Sequence, residues 1–311
     1  MNSSILAQLS RHTPVIVQGA TGRTGSAHLR RMRDYGTNIA GGVSPRAAGT
    51  SIEGVPVFAD CRAAAAATGS EVWLAMVPPR DVLAAAEDAL AAGIRLIVTP
   101  AEGVPVHDAL RIGRMVRAAG ATWVGASTPG LAVPGEMKLG FLPDVSLKPG
   151  PLGVMSKSGT LSYETGYRLA QTGLGASIWI GVGGDAVKGV RFPDLLDLFL
   201  HDERTRGIVL IGEVGGSEEE DFAEAMQRAR SDGKLLKPVY ALVAGRGAKE
   251  GVNMGHAGAL TFGNAGTFAS KQARLTAAGA RVFATIEELI AACGQDFSQP
   301  SSPGRAKRES R

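Results

Sequence analysis

The sequence predicts an α/β protein made of two open, doubly wound domains in tandem, and three observations lead there. Short β-rich apolar runs alternate with Ala-rich amphipathic stretches along almost the whole chain. The alternation breaks once, between Gly125 and Pro151, and then restarts. In each half the first strand runs into a segment suited to binding an anion. Strand–helix alternation builds parallel sheets with helices on both faces. A length of 311 residues exceeds the usual span of one domain.

In the first half, strands are expected at Val15–Gln18, Asn38–Val43, Val72–Val77, Leu96–Thr99 and Thr122–Val124. Helices are expected between them at Gly25–Asp34, Asp60–Ala67, Arg80–Ala91 and Val106–Ala119. Pro129, Pro134, Pro143 and Pro149 interrupt any element in the following stretch, which reads as the inter-domain connection. The second half has strand candidates at Leu152–Met155, Ala176–Val182, Gly207–Ile211, Val239–Val243 and Arg281–Phe283. Its helices are expected at Thr160–Gln171, Pro193–Leu200, Ser217–Arg230, Thr267–Ala278 and Ile286–Cys293.

Composition narrows the function classes. The net charge of +4 is concentrated in the last seven residues, Arg305 to Arg311, which hold four basic side chains and one acid. The body is thus almost neutral and has no nucleic-acid-binding character, while the tail reads as a disordered, solubilising end. Cys61 and Cys293 are the only cysteines, and no metal-ligand cluster is apparent, so reduced thiols in a cytoplasmic protein are expected. No run approaches the roughly 20 apolar residues of a membrane span.

Val15–Gln18 leads into Gly19-Ala20-Thr21-Gly22-Arg23-Thr24-Gly25. A glycine-rich turn between a first strand and a first helix lets backbone N–H groups approach a phosphate. The spacing G-x-x-G-x-x-G is looser than the dinucleotide fingerprint, and a purely structural tight turn is the alternative. The second strand ends in Gly41-Gly42-Val43-Ser44-Pro45-Arg46, without the carboxylate that holds an unphosphorylated ribose. Arg46 suits a ribose bearing an extra phosphate, which leaves NADP and CoA open.

In the second half Ser156-Lys157-Ser158-Gly159-Thr160 follows a strand and opens a helix, either as an anion site or as a well-capped start. Of the five histidines, His256 alone lies between small residues in a glycine-rich loop, Met254-Gly255-His256-Ala257-Gly258. That setting suits a nucleophile which must accept a group and present it elsewhere, although a solvated loop histidine is the plainer reading. Glu213, in Gly212-Glu213-Val214-Gly215-Gly216, stands where ligands bind in such sheets. It is placed to fix a histidine tautomer, or equally to complement a helix dipole.

Together these segments resemble the alpha subunit of succinyl-CoA synthetases over roughly residues 13 to 294. The resemblance is carried by Gly19–Gly25, Gly41-Gly42-Val43, Glu102-Gly103-Val104-Pro105, Ser156–Glu164, Gly181–Asp185, Gly212–Gly216 and Met254–Ala259. It implies a Rossmann-like CoA-binding domain over 1–145, a flavodoxin-like ligase domain with a phosphohistidine loop over 146–296, and a disordered tail over 297–311. It also implies a partner beta subunit of ATP-grasp fold that binds ATP or GTP with Mg²⁺. His256 would carry the phosphoryl group, with Glu213 as its partner. Thr21, Gly22, Arg23, Thr24, Arg46, Pro78 and Glu102 would hold CoA, and Ser158, Gly159, Thr160 and Tyr163 the phosphate and acid.

The sequence departs from the family pattern at Ala47, where a lysine is usual, with Arg46 the candidate replacement. It departs again at Ala101, at Ser127-Thr128 in place of Asn-Cys, and at Val252-Asn253 in place of basic residues. A short carboxylic acid other than succinate, such as malate or another diacid, is therefore expected. A non-catalytic CoA-binding protein and an NADP-dependent oxidoreductase are the readings from other classes.

Overall fold

The computed structural model describes residues 4–249, 251, 259, 261 and 266–297. His256, its neighbours and the basic tail lie outside the described residues.

The first half contains α1 (Ser4–Ala7), β1 (Val15–Gln18), α2 (Arg23–Tyr35), β2 (Ile39–Val43), β3 (Ser51–Ile52), β4 (Val55–Phe58), α3 (Cys61–Thr68), β5 (Val72–Ala75), α4 (Val82–Ala91), β6 (Leu96–Thr99), α5 (Val106–Ala118) and β7 (Thr122–Gly125). Its strands lie in the order β3-β4-β2-β1-β5-β6-β7. Without the antiparallel edge strand β3, this is the Rossmann order, and chain direction across the sheet reverses between β1 and β5.

The second half contains β8 (Gly130–Val133), β9 (Met137–Gly140), β10 (Pro149–Ser156), α6 (Gly159–Gln171), β11 (Ala176–Gly181), α7 (Phe192–His201), β12 (Gly207–Glu213), α8 (Glu218–Ser231), β13 (Val239–Ala244), α9 (Phe268–Ala277), β14 (Arg281–Phe283) and α10 (Ile286–Phe297). Its order is β14-β13-β12-β10-β11-β8-β9. The five parallel strands β11-β10-β12-β13-β14 follow the flavodoxin order, which has its reversal between β10 and β12.

One expectation needs correction. The proline-rich stretch after Gly125 is not free of elements, because β8 and β9 form an antiparallel hairpin whose β8 adds to β11. Pro129 and Pro134 flank β8 and so remove no donor from its ladder. Gly130 makes the hairpin possible: its φ is +112°, and a Cβ there would stand 1.8 Å from the Leu139 carbonyl oxygen.

Helix ends follow local chemistry. Asp60, Ser158 and Thr267 accept hydrogen bonds from the third residue of α3, α6 and α9, and left-handed Gly36 and Gly69 close α2 and α3.

Each sheet has an apolar cluster of its own, and a third cluster joins the two. Leu29 and Met32 of α2 belong to one buried apolar cluster with Val15 and Val17 of the first sheet and Met137, Leu139 and Ile180 of the second. Around this seam Thr37 Oγ1 donates to the Lys138 carbonyl (2.8 Å) and accepts from the Lys138 N–H (3.0 Å). The Tyr35 hydroxyl accepts from the Gly135 N–H (2.9 Å), and the buried Lys138 ammonium lies 5.3 Å from the Tyr35 ring centroid. Helix α2 is thus shared between both halves.

Candidate active site

In open α/β sheets ligands bind beyond the carboxyl ends of the strands, at the point where strand order reverses. Each half has a cleft at that point.

The first cleft has a volume of about 430 Å³. One side is the β1–α2 turn, with Gly22, Arg23, Thr24 and Gly25; the facing side is the β5 end, with Met76, Val77 and Pro78. Gly19 and Gly25 are obligatory. A Cβ on Gly25 would come within 2.1 Å of the Gly19 carbonyl oxygen, and one on Gly19 within 2.3 Å of the Met76 carbonyl oxygen. The turn therefore folds tightly onto itself. Gly22 caps α2 without a side-chain hydrogen bond, so the first-turn N–H groups of a 13-residue helix face this cleft.

Four expected ligand residues, Gly22, Arg23, Thr24 and Pro78, are brought together here. Thr21 is adjacent and exposed, and its hydroxyl donates to Ser44 Oγ at 3.2 Å, tying the turn to the end of β2. Arg46, in a single 3-10 turn over Pro45–Ala47, and Glu102 are exposed and do not line the cleft.

The second cleft, about 410 Å³, opens beyond β10, β11 and β12. Lys157 comes from the end of β10, Asp185, Lys188 and Arg191 from the β11–α7 connection, and Glu213 and Ser217 from the end of β12. Next to Lys157, Ser158 caps α6 by accepting from the Leu161 N–H at 3.3 Å. Tyr163, one turn further on, brings its hydroxyl back to Gly159, where a Cβ would lie 3.4 Å from the Tyr163 oxygen. Burial holds the Tyr163 phenol above its ordinary pKa, so it remains a donor beside this helix start. Ser158, Gly159 and Tyr163 thus converge at the mouth of α6, and exposed Thr160 follows them in its first turn.

Beneath the cleft lies a buried charge network. Glu219 is fully buried and accepts from Lys157 (3.0 Å), from Lys271 and from the Glu213 N–H (3.1 Å). Burial alone would raise the Glu219 pKa, but Lys157 and Lys271 outweigh it and hold the carboxyl below the usual range. For Lys157 burial is likewise opposed by Glu219 and Glu218, which leave the ammonium above its ordinary value. Lys188 has the opposite balance. Burial depresses its pKa even though it reaches Glu218 and the Gly183 carbonyl, both at 2.7 Å. Lys271 also donates to the Gly216 carbonyl at 3.0 Å, so the network grips the Glu213–Ser217 turn from below.

Sequence reasoning selected Glu213 and the motif containing Lys157 but missed the other two cations lining the second cleft, Lys188 and Arg191. The acidic start of α8 carries no local mark of burial, and Lys271, the buried partner of Glu219, lies 52 residues further on. The altered Ser127-Thr128 segment proves to be structural in part. The Thr128 side chain is buried, donates to the Gly181 carbonyl and accepts from the Gly130 N–H at 2.9 Å.

Among the described residues no group of His, Cys, Asp and Glu could hold a metal, and no helix is long and apolar enough to cross a membrane.

Comparison with known proteins matches each half of the chain to a family. Residues 10–103 match the CoA binding domain family, and residues 155–281 match the CoA-ligase family. The chain is 42% identical over 282 residues to succinate–CoA ligase [ADP-forming] subunit alpha 1 of Archaeoglobus fulgidus, covering 91% of this chain and 95% of that one. It is 39% identical to the ADP-forming sulfoacetate–CoA ligase subunit SauD of Bilophila wadsworthia, covering 88% and 93%. Among solved structures, ATP citrate lyase of Methanosaeta concilii superposes with a TM-score of 0.82 at 23% identity, covering 97% of this chain but only 53% of that chain. That last likeness shows the fold. With two family matches in tandem and relatives aligned over nine-tenths of its length, the chain belongs to the alpha-subunit family of succinate–CoA ligases and is the alpha subunit of an acid–CoA ligase.

Proposed function

We propose that this subunit joins a short carboxylic acid to CoA through an acyl phosphate and a phosphohistidine at His256. A beta subunit of ATP-grasp fold would supply ATP or GTP with Mg²⁺, in the cytoplasm. The observation that carries this reading is the pair of clefts, one suited to CoA phosphates and the other presenting a helix N-terminus beside Glu213.

In the ligation direction a His256 ring nitrogen attacks the terminal phosphorus of the nucleotide, and the nucleoside diphosphate leaves. The substrate carboxylate then takes the phosphoryl group, giving acyl phosphate and free imidazole. The CoA sulfur attacks the acyl carbon, the thiol proton is lost, and inorganic phosphate departs.

Glu213 in the second cleft, and the start of α6 that follows Lys157 at its edge, each have a task in this sequence. The N–H groups at the start of α6, with Ser158, Gly159 and Thr160, receive the phosphoryl oxygens. Tyr163 donates to the acid substrate. Glu213 accepts the second ring N–H of His256, which fixes the tautomer and makes the other nitrogen the nucleophile. In the first cleft Gly22, Arg23 and Thr24, with Thr21 beside them, hold the CoA pyrophosphate and Pro78 borders the arm, while Arg46 and Glu102, outside the lining, would meet parts of the ligand that extend beyond it. Relatives named for succinate and for sulfoacetate support a variable acid, and this chain's departures near the acyl site favour one other than succinate.

The test is phosphorylation by [γ-³²P]ATP of the subunit co-expressed with its partner, for wild type, His256→Ala and Glu213→Gln. An acid-labile, base-stable label absent from His256→Ala, weak in Glu213→Gln, and discharged by CoA plus one acid is expected. A folded complex that binds CoA yet takes no label would replace this reading with a CoA-binding protein. A nicotinamide fluorescence change on titration with NADPH would instead favour an oxidoreductase.

A further inference from the structure

Among the described residues, all but one of the side chains around the first cleft come from the first sheet and its turns. The exception is Phe141, which follows β9 of the second sheet. Its position is fixed from three directions. Its N–H donates to the Pro129 carbonyl at 2.8 Å. Gly140 before it has φ +105°, with no room for a Cβ, which would lie 2.5 Å from the same oxygen. Its ring meets the His28 imidazole of α2 edge-on, with centroids 4.5 Å apart and planes at 64°.

The cleft changes character along its length. At the β1–α2 turn it offers backbone N–H groups and Arg23, which suit phosphate. Towards the β5 and β6 ends it is walled by Ala75, Met76, Val77, Pro78, Pro100 and Ala101. Among the described residues Phe141 is the one aromatic ring lining it. CoA has the same polarity: a phosphorylated nucleotide, then a pantetheine arm bearing two methyl groups and several methylenes between its amides.

We propose that Phe141 is a CoA-positioning residue: its ring packs on the pantetheine arm, so that the second domain completes the CoA site built by the first. This rests on the CoA-binding reading of the first cleft. It adds a residue from outside the stretch that matches the CoA binding domain family, and it does not require the phosphohistidine chemistry. An arm held between the Met76–Pro78 wall and this ring would have its thiol end constrained by both sheets. His28 acts through Phe141 as a brace.

Covering roughly 50–60 Å² of apolar ligand surface at about 25 cal/mol/Å² corresponds to about tenfold in Kd. The test is calorimetric binding of CoA and of adenosine 3′,5′-bisphosphate, which lacks the arm, to the full chain co-expressed with its partner. Wild type, Phe141→Ala and Phe141→Leu would be compared, and melting curves would establish that each is folded. The proposal expects CoA to weaken about tenfold in Phe141→Ala and to recover largely in Phe141→Leu, with the bisphosphate unchanged. In turnover the KM for CoA would rise more than kcat falls. Equal weakening of both ligands would overturn it in favour of a general disturbance of the cleft. Unchanged CoA binding would overturn it outright. A wild type that binds neither ligand would remove the CoA reading itself, an outcome visible before any variant is made.

Discussion

Replacing Lys271 by Met tests whether the buried network under the second cleft holds the structure together. Lys271 is fully buried, and its ammonium donates to Glu219, to Glu220 (3.1 Å) and to the Gly216 carbonyl (3.0 Å). Removing one partner of a buried ion pair costs about 3–5 kcal/mol, because the remaining charge stays in a low-dielectric site. Lys157 still reaches Glu219 at 3.0 Å, which puts the expected loss at the lower end, about 3 kcal/mol. Methionine keeps most of the aliphatic volume, so little is added for a cavity. For a chain of this size about 2 °C accompanies each kcal/mol, and Tm should fall by roughly 6 °C near neutral pH. Because the folded Glu219 carboxyl lies below its ordinary range, its contribution is present above the unfolded pKa and lost as pH falls through the folded one. The gap between wild type and variant should therefore be full at pH 7 and narrow below about pH 4. Urea or thermal melts followed by circular dichroism across that range provide the assay. A shift under 1 °C at pH 7, or a gap constant down to pH 3, would refute the reasoning.

Two further outcomes follow from the sites. Gly25→Ala places a methyl group 2.1 Å from a backbone oxygen with no flexible side chain to yield, so the β1–α2 turn must open. CoA affinity measured by calorimetry should fall by at least tenfold, alongside a loss of about 1–3 kcal/mol in stability. Ser158→Ala removes the α6 cap at the proposed phosphate site. It should cost about 1 kcal/mol in a urea melt and, in steady-state kinetics, raise the KM for phosphate in the thioester-cleaving direction.

Most of the fold is legible because each parallel strand carries its own signal. Val15–Gln18, Leu96–Thr99 and Arg281–Phe283 are short apolar or β-branched runs bounded by turn residues, and they form strands at those same positions. The hairpin Gly130–Gly140 is not legible. Its four-residue strands are buried on both faces and too short to carry a pattern, and the flanking prolines look like breaks until their place outside the ladder is seen. The β3–β4 ribbon is not legible for a related reason, since Pro56 within β4 reads as a break and the turn depends on left-handed Glu53 and Gly54. At the sites, glycine spacing indicates the first cleft directly. Phe141, Lys188 and Arg191 reach their clefts through tertiary topology, which leaves no local pattern in the sequence.

The helix shared by the two halves bears on how this protein can be recombined. The family matches end at residue 103 and resume at 155, which invites treating the halves as interchangeable modules. Yet α2 carries the phosphate turn at one end and buries Leu29 and Met32 against β9 on the way to the other. A first half borrowed from a relative would bring a foreign helix face to this hairpin. Grafts should succeed only when α2 and the 130–140 hairpin travel together, so the heritable unit of the CoA site crosses the apparent domain boundary.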